Sequence, residues 1–310
     1  MKLGFVSAIL ADQDLDHVLG VASDEGFSCV ELLCWPPGKA ERRYAGVTHI
    51  DVTDLSDAAV SDIQGRVDKA GVEISALGYY PNYLVEDREE AGVYIDHFEK
   101  LMEASAKLDI NTVTTFIGRD PSQTIDENWP RFLEVWKPLV KRAEDLGVRI
   151  AIENCPMLYT DDEWPGGKNL AYCPAVWERM FNDIPSDHFG LNYDPSHLVW
   201  QQIGYLAPIA EFREKLFHVH AKDVLVRHDR LDRVGIMGTP LQYHTPKLPG
   251  LGEVDFGKFF AWLSDAGYTG PVCIEVEDRA YEDTLESRYG ALRQSARYLR
   301  NFMSEERADS

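Results

Sequence analysis

The sequence predicts a (β/α)8 TIM barrel, a single domain over residues 1–310. Eight short strand-like runs alternate strictly with eight helix-like runs. That alternation makes a parallel sheet, and eight units close it into a barrel. The strand-like runs are almost continuously apolar, as in strands covered on both faces. Four later runs end on polar side chains: RIAIENCP (149–156), LNYDPSH (191–197), FHVHAKD (217–223) and VCIEVED (272–278). Barrel active sites form at the C-terminal ends of the strands. The competing architecture is an open doubly wound sheet. Its nucleotide-binding versions need a GxGxxG or GxxxxGKS/T turn after an early strand, and none occurs.

In chain order, LGFVSAIL (3–10) is the first strand, and Leu15, Val18, Leu19 and Ala22 at helical spacing mark a helix over 13–25. SCVELLC (28–34) is the second strand, stopped by Trp35-Pro36-Pro37-Gly38. A helix capped at Asp54 or Ser56 ends at Gly71. VEISALGYY (72–80) is strand three, a helix follows over 89–108, and NTVTTFIG (111–118) is strand four. A helix over 129–146 stops at Gly147 before strand five. A loop over 156–173 and a helix from Pro174 to Phe181 lead to strand six, HFGLNYD. Helix six spans 206–215, and strand seven is LFHVHAKD. The connection over 224–254 reads as the longest irregular segment. A helix over 256–267 leads to strand eight, GPVCIEVE, and the terminal helix spans 282–303 with a frayed acidic tail over 303–310.

The net charge is −21, from 52 acidic and 31 basic residues. Such a surface repels phosphate backbones and anionic lipids, which argues against nucleic acid and membrane partners. Five cysteines, Cys29, Cys34, Cys155, Cys173 and Cys273, form no CxxC pair and fit a reducing cytoplasm. The N-terminus reads as a strand rather than a signal peptide. Exposed aromatics on the terminal helix point to a homo-oligomer.

Side chains alternate along a strand, so Ala151 shares a face with Glu153, Asn192 with Asp194, and His218 with His220. If Glu153, Asp194, His220 and Glu275 face inward, four ligands converge from consecutive strands. Three carboxylates and one imidazole suit one divalent ion, Mn²⁺ first, with Mg²⁺ or Co²⁺ as alternatives. His218 alone reads equally well as a hydrogen-bonded core histidine.

The segments IENCP, DPSH, HVHAKD, GLGEVDF and CIEVED, in this order, resemble the xylose-isomerase-like barrel superfamily. That group includes sugar isomerases, ketose 3-epimerases, inosose dehydratases and a branch of apurinic endonucleases. The resemblance spans nearly the whole chain and is strongest over 149–278. It implies that Glu153, Asp194, His220 and Glu275 hold one metal and that His197 contacts substrate. The epimerase pattern has an arginine where this chain has Val226. Arg227, one residue on, or Lys222 is the expected substitute for binding substrate. His244, on the long connection, is expected to approach the site as a further substrate contact.

These residues predict a metal-dependent sugar isomerase or epimerase, with Glu153 and Glu275 moving a proton beside a carbonyl. The same site would serve a lyase, such as a keto-inositol dehydratase or the barrel subunit of a C-glycoside deglycosidase, the latter with a small partner subunit. An abasic-DNA endonuclease would need a basic groove, which the charge disfavours. A non-catalytic sugar-binding barrel would carry no metal. The expected substrate is a small sugar or keto-sugar. Arg119, Arg227 and Lys222 could hold an anion, but no phosphate loop is evident, so a free sugar is preferred. Tyr79, Tyr80, Trp35, Trp164 and Trp200 are candidate walls for its ring.

Overall fold

Ten strands form in chain order among the described residues: β1 (Lys2–Val6), β2 (Cys29–Leu33), β3 (Glu73–Gly78), β4 (Thr112–Thr115), β5 (Arg149–Glu153), β6 (Phe189–Tyr193), β7 (Leu216–Ala221), β8 (Asp223–Val226), β9 (His244–Lys247) and β10 (Pro271–Ile274). Eight close into a barrel in the order β1-β10-β7-β6-β5-β4-β3-β2, while β8 and β9 form a separate sheet. Every barrel pairing is parallel. The structure is a computed structural model and describes residues 1–38, 45–158 and 166–303. The expected frayed tail therefore falls almost wholly outside the described residues. No described helix is long and apolar enough to cross a membrane.

The helices are α1 (Leu15–Asp24), α2 (Asp57–Ala70), α3 (Arg88–Lys107), α4 (Ile125–Leu146), α5 (Pro174–Asp183), α6 (Ser196–Val199), α7 (Ala207–Glu211), α8 (His228–Val234), α9 (Phe256–Asp265) and α10 (Leu285–Leu299). Side chains of Asp14, Ser56, Asp87 and Thr124 satisfy the free N–H groups that open α1 to α4. Gly71 and Gly147 close α2 and α4 at φ of 66° and 71°, a conformation that favours glycine. Phe98, Phe132, Trp136 and Phe189 fill the space between α3, α4 and the barrel and are fully buried.

Several boundaries differ from the expectation, each for a local reason. The first strand ends at Val6, and Ser7–Leu10 turns as a 3-10 helix. There the Ser7 hydroxyl accepts from Leu33 N at 2.9 Å and bonds His49 Nδ1 at 3.0 Å. Helix α4 starts at Ile125 rather than 129 because Thr124 and Glu127 form a capping box. Helix six is a short α7 followed by a separate 3-10 turn at Arg213–Lys215.

The connection over 224–254 is not irregular. It holds α8 and the antiparallel pair β8–β9, with Val226 opposite His244. Asp223 ties this insertion to the barrel. Its carboxylate accepts from the N–H groups of Val224, Gly250, Gly252 and Val254 at 2.8, 3.0, 3.0 and 2.9 Å. Gly252 is required, because a Cβ there would lie 2.3 Å from Asp223 Oδ1.

The terminal-helix aromatics are not a free face. The Tyr289 hydroxyl bonds His17 Nε2, Tyr298 packs edge-on to Phe256, and Phe302 stacks on Phe260. Tyr289 and Tyr298 pack against this chain's own core, while Phe302 stays part-exposed, too little by itself to argue for an oligomer.

Candidate metal centre and active site

Barrel register decides which side chains meet at the mouth. Glu153 pairs with Asn192 across β5–β6, and His220 pairs with Cys273 across β7–β10. Glu153, Asp194 just beyond β6, His220 and Glu275 just beyond β10 each offer one ligand atom, all within 4.8 Å of one another. The structure thus brings together the four residues singled out from the strand ends. Two asparagines hold the strand ends at this spacing. Asn154 donates to Asp194 O and accepts from Asp194 N, both at 2.8 Å. Asn169 donates to Glu153 O at 3.0 Å and accepts from Ile117 N at 3.0 Å, joining the fourth strand end to the fifth.

The donor set fits a divalent cation. His220 Nδ1 is buried and makes no hydrogen bond among the described residues, and buried Asp194 Oδ2 has only the Lys222 ammonium, at 3.1 Å. Buried polar atoms are ordinarily satisfied, so the idle imidazole nitrogen among three carboxylates argues for a missing ligand. The other nitrogen of His220 is anchored: Nε2–H donates to Glu31 Oε2 at 2.7 Å. A carboxylate on the far nitrogen fixes the ring and leaves Nδ1 free to coordinate.

The sequence reading missed Glu31. It lies fully buried on β2, and its Oε1 accepts from Thr114 Oγ1 at 2.7 Å and from the Tyr80 hydroxyl. Burial acts to raise its carboxyl, but the His220 and His218 rings and the Tyr80 hydrogen bond outweigh it and hold it at about 2. The available signal was a carboxylate inside the apolar run SCVELLC, since such a charge persists only when paired.

His218 lies one layer deeper. Its Nδ1 bonds Asn192 Oδ1 at 3.0 Å, its Nε2 meets Ser75 Oγ at 3.1 Å, and burial lowers it to about 4. It is a hydrogen-bonded core histidine.

Lys222 lies inside the cluster. Its Nζ is 2.5 Å from Glu275 Oε2, 3.0 Å from Glu277 Oε2 and 3.1 Å from Asp194 Oδ2. Burial opposes its charge, but the surrounding carboxylates hold the ammonium firmly protonated. Burial likewise acts to raise Glu153, yet His197, His220 and Lys222 bring it down to about 2. His197 Nε2 lies 3.3 Å from Glu153 Oε1 and 3.4 Å from Asp194 Oδ2.

His244 begins β9, and its Nδ1–H donates to Pro240 O at 2.6 Å. Its ring stacks on Trp200 with centroids 4.8 Å apart, and burial lowers it to about 4, keeping it neutral. Arg227 does not join the cluster. Its guanidinium is part-exposed and pairs with Asp229 at 3.3 Å, because β8 carries it onto the hairpin.

The candidate walls divide. Tyr79 is buried behind the strands, edge-on to Trp35 and His97 at 4.9 and 4.6 Å, so it is no sugar wall, whereas half-buried Trp35 packs against the cluster that holds Tyr80 and Phe116. Tyr80 instead points into the barrel at Glu31, and Trp200 flanks the mouth. Trp164 lies outside the described residues.

A family model described as "Xylose isomerase-like TIM barrel" matches residues 19–302. Three curated proteins are similar along most of the chain. An uncharacterized Bacillus subtilis protein, YfiH, is 26% identical over 90% of this chain and 93% of its own length. An inosose dehydratase of Glaesserella parasuis is 22% identical over 77% and 80%. A ketose 3-epimerase of Arthrobacter globiformis is 24% identical over 76% and 65%. Among solved structures, the IolI protein with a bound zinc atom superposes with a TM-score of 0.70 at 18% identity, covering 98% of this chain and 100% of that one. At that identity the likeness is one of fold.

Proposed function

Since the chain belongs to the xylose isomerase-like TIM barrel family, we propose that it is a divalent-metal enzyme transferring a proton at a carbon beside a sugar carbonyl, as an isomerase or epimerase. The observation that carries this reading is the convergence of Glu153, Asp194, His220 and Glu275 within 4.8 Å. These four residues would hold the ion, with Mn²⁺ favoured by three carboxylates and one imidazole. A bound ion would supply a Lewis acid that polarises a carbonyl and an adjacent hydroxyl.

The protein's own groups do the rest. Glu153 and Glu275 come from opposite ends of the four-strand arc β5-β6-β7-β10, which supports a reading in which they would approach a bound substrate from two sides. One removes the proton, and the other returns it from the opposite face or at the neighbouring carbon. His197, beside Glu153 and Asp194, is placed to orient a substrate hydroxyl. His244, neutral and stacked on Trp200, closes the rim as an uncharged hydrogen-bonding contact.

A second reading is a lyase, and Lys222 favours it. Its ammonium, in contact with Glu275 and Asp194, is a fixed positive charge that would stabilise the negative charge developing on a leaving hydroxyl or alkoxide. The inosose dehydratase likeness points the same way.

The test is incubation of Mn²⁺-loaded protein in D₂O with keto-sugars, inososes and 3-keto-glycosides. Deuterium at the carbon beside the carbonyl is expected, and an expelled water or aglycone would select the lyase. Glu153→Gln and Glu275→Gln should each lower exchange by about 100-fold or more. Unchanged exchange in either variant would sink the assignment.

A further inference from the structure

A cavity of about 260 Å³ opens beside the end of β4, lined by Arg119, Ile125, Pro156, Leu158, Tyr172 and Trp200. Its one cation among the described residues is unusual. Arg119 is 9% exposed and pairs with no carboxylate among the described residues. Its Nη2 donates to Gln123 O at 3.1 Å, and its Nε–H has no partner among the described residues. The acid next to it, Asp120, is committed to its own turn through Ser122 N and Oγ at 2.9 and 2.6 Å. A buried guanidinium with idle donors carries a desolvation cost that a bound anion would offset.

The residue is also built in place. Asn82 grips its backbone from both sides, accepting from Arg119 N at 2.8 Å and donating to Arg119 O at 2.7 Å. Gly166, at φ +108°, makes room, since a Cβ there would lie 1.8 Å from Nη1. Burial lowers the guanidinium's affinity for its proton, the direction an unpaired cation takes.

Two of the cavity's lining residues belong to the segments that carry the metal-type cluster and its neighbours. Pro156 follows Glu153 by three residues. Trp200 closes the turn that carries His197 and stacks on His244. A cavity this small suits one end of a ligand, not all of it.

We propose that this cavity is a subsite for a carboxylate on the substrate, gripped by Arg119, so that the reacting molecule is an acidic keto-sugar and not a neutral one. The planar guanidinium matches a carboxylate two-pronged. A phosphate dianion would call for several further donors, whereas beyond Arg119 and the Tyr172 hydroxyl the lining side chains Ile125, Pro156, Leu158 and Trp200 offer it apolar surface. This inference rests on the proposed reading that the adjoining cluster seats a sugar carbonyl.

The test titrates the full Mn²⁺-loaded chain calorimetrically with D-fructuronate, D-tagaturonate, D-fructose and D-fructose 6-phosphate. At least one ketouronate should bind about 10-fold or more tighter than fructose and tighter than the phosphate. Arg119→Gln should erase that preference, and Arg119→Lys should retain part of it. Equal binding of ketouronates and fructose by the unaltered protein overturns the subsite, as does a stronger phosphate. Retained ketouronate preference in Arg119→Gln overturns it too. If that variant fails to fold, the selectivity of the unaltered protein decides alone. Deuterium exchange separates the two readings. Exchange without carboxylate preference sinks only the subsite, whereas Arg119-dependent preference without exchange sinks the proton-transfer reading and leaves the subsite standing.

Discussion

Glu31→Gln probes the support beneath the candidate metal centre without emptying any space. In the native protein Glu31 Oε2 sits 2.7 Å from His220 Nε2, and Oε1 holds Thr114 and Tyr80. The glutamine keeps the shape but removes the charge that fixes the His220 ring. Loss of a carboxylate behind a metal-binding histidine costs about 10–100-fold in affinity, or about 1.4–2.8 kcal/mol. A stability effect follows from the acid's own shift. Its carboxyl stands at about 2 against an ordinary 4.5, a difference on the order of 3 kcal/mol. Because the folded value is depressed, that stabilisation is complete above pH 4.5 and disappears as pH falls through about 2. Mn²⁺ titration at pH 7 and urea unfolding from pH 7 down to pH 2 measure both quantities. The variant should bind Mn²⁺ more weakly and be less stable at pH 7, with the stability gap closing in acid. Native-like Mn²⁺ affinity, or a gap that stays constant to pH 2, would refute the role given to Glu31.

Three further substitutions separate the parts of the site. Asn154→Ala removes both bonds that set Asp194; chemical denaturation should show a loss of about 1–3 kcal/mol, and Mn²⁺ affinity should fall with it. Asp223→Ala strands four backbone donors and should cost about 3–5 kcal/mol by the same measurement. Arg227→Ala touches only the exposed pair with Asp229, so stability should change by no more than about 0.5 kcal/mol, and a large loss of turnover would reopen its candidacy.

The barrel was legible because strand alternation and glycine stops leave a periodic trace, as at Gly71 and Gly147. So were Glu153, Asp194, His220 and Glu275, since a carboxylate or imidazole closing an apolar strand is visible in one dimension. Glu31 was hidden because its partner His220 is 189 residues away and meets it only across the closed barrel. Arg227 misled for a related reason. Its separation from His220 is a property of the chain, but β8 turns outward after Asp223, so nearness in sequence did not become nearness in space. The hairpin escaped notice because HTPK lacks the apolar alternation of a strand and finds its register only opposite DVLV.

That hairpin sets up two tiers of backbone protection. The barrel strands have no free edge, so their amides become available to solvent only when the whole sheet opens. The β8–β9 ribbon has only two strands, with the outer side of β8 met by Asp223 and Glu253 and not by a third strand, and such ribbons are marginal by themselves. Its amides, and those of α8 within it, should therefore take up deuterium well before those of β5, β6, β7 and β10. Lys222 and Asp223 stand at the seam between the tiers, one turned to the carboxylates and one to the ribbon. Deuterium uptake in β9 well ahead of β5, β6, β7 and β10 is the expected sign that the rim carrying His244 opens separately from the strands bearing the four converging side chains.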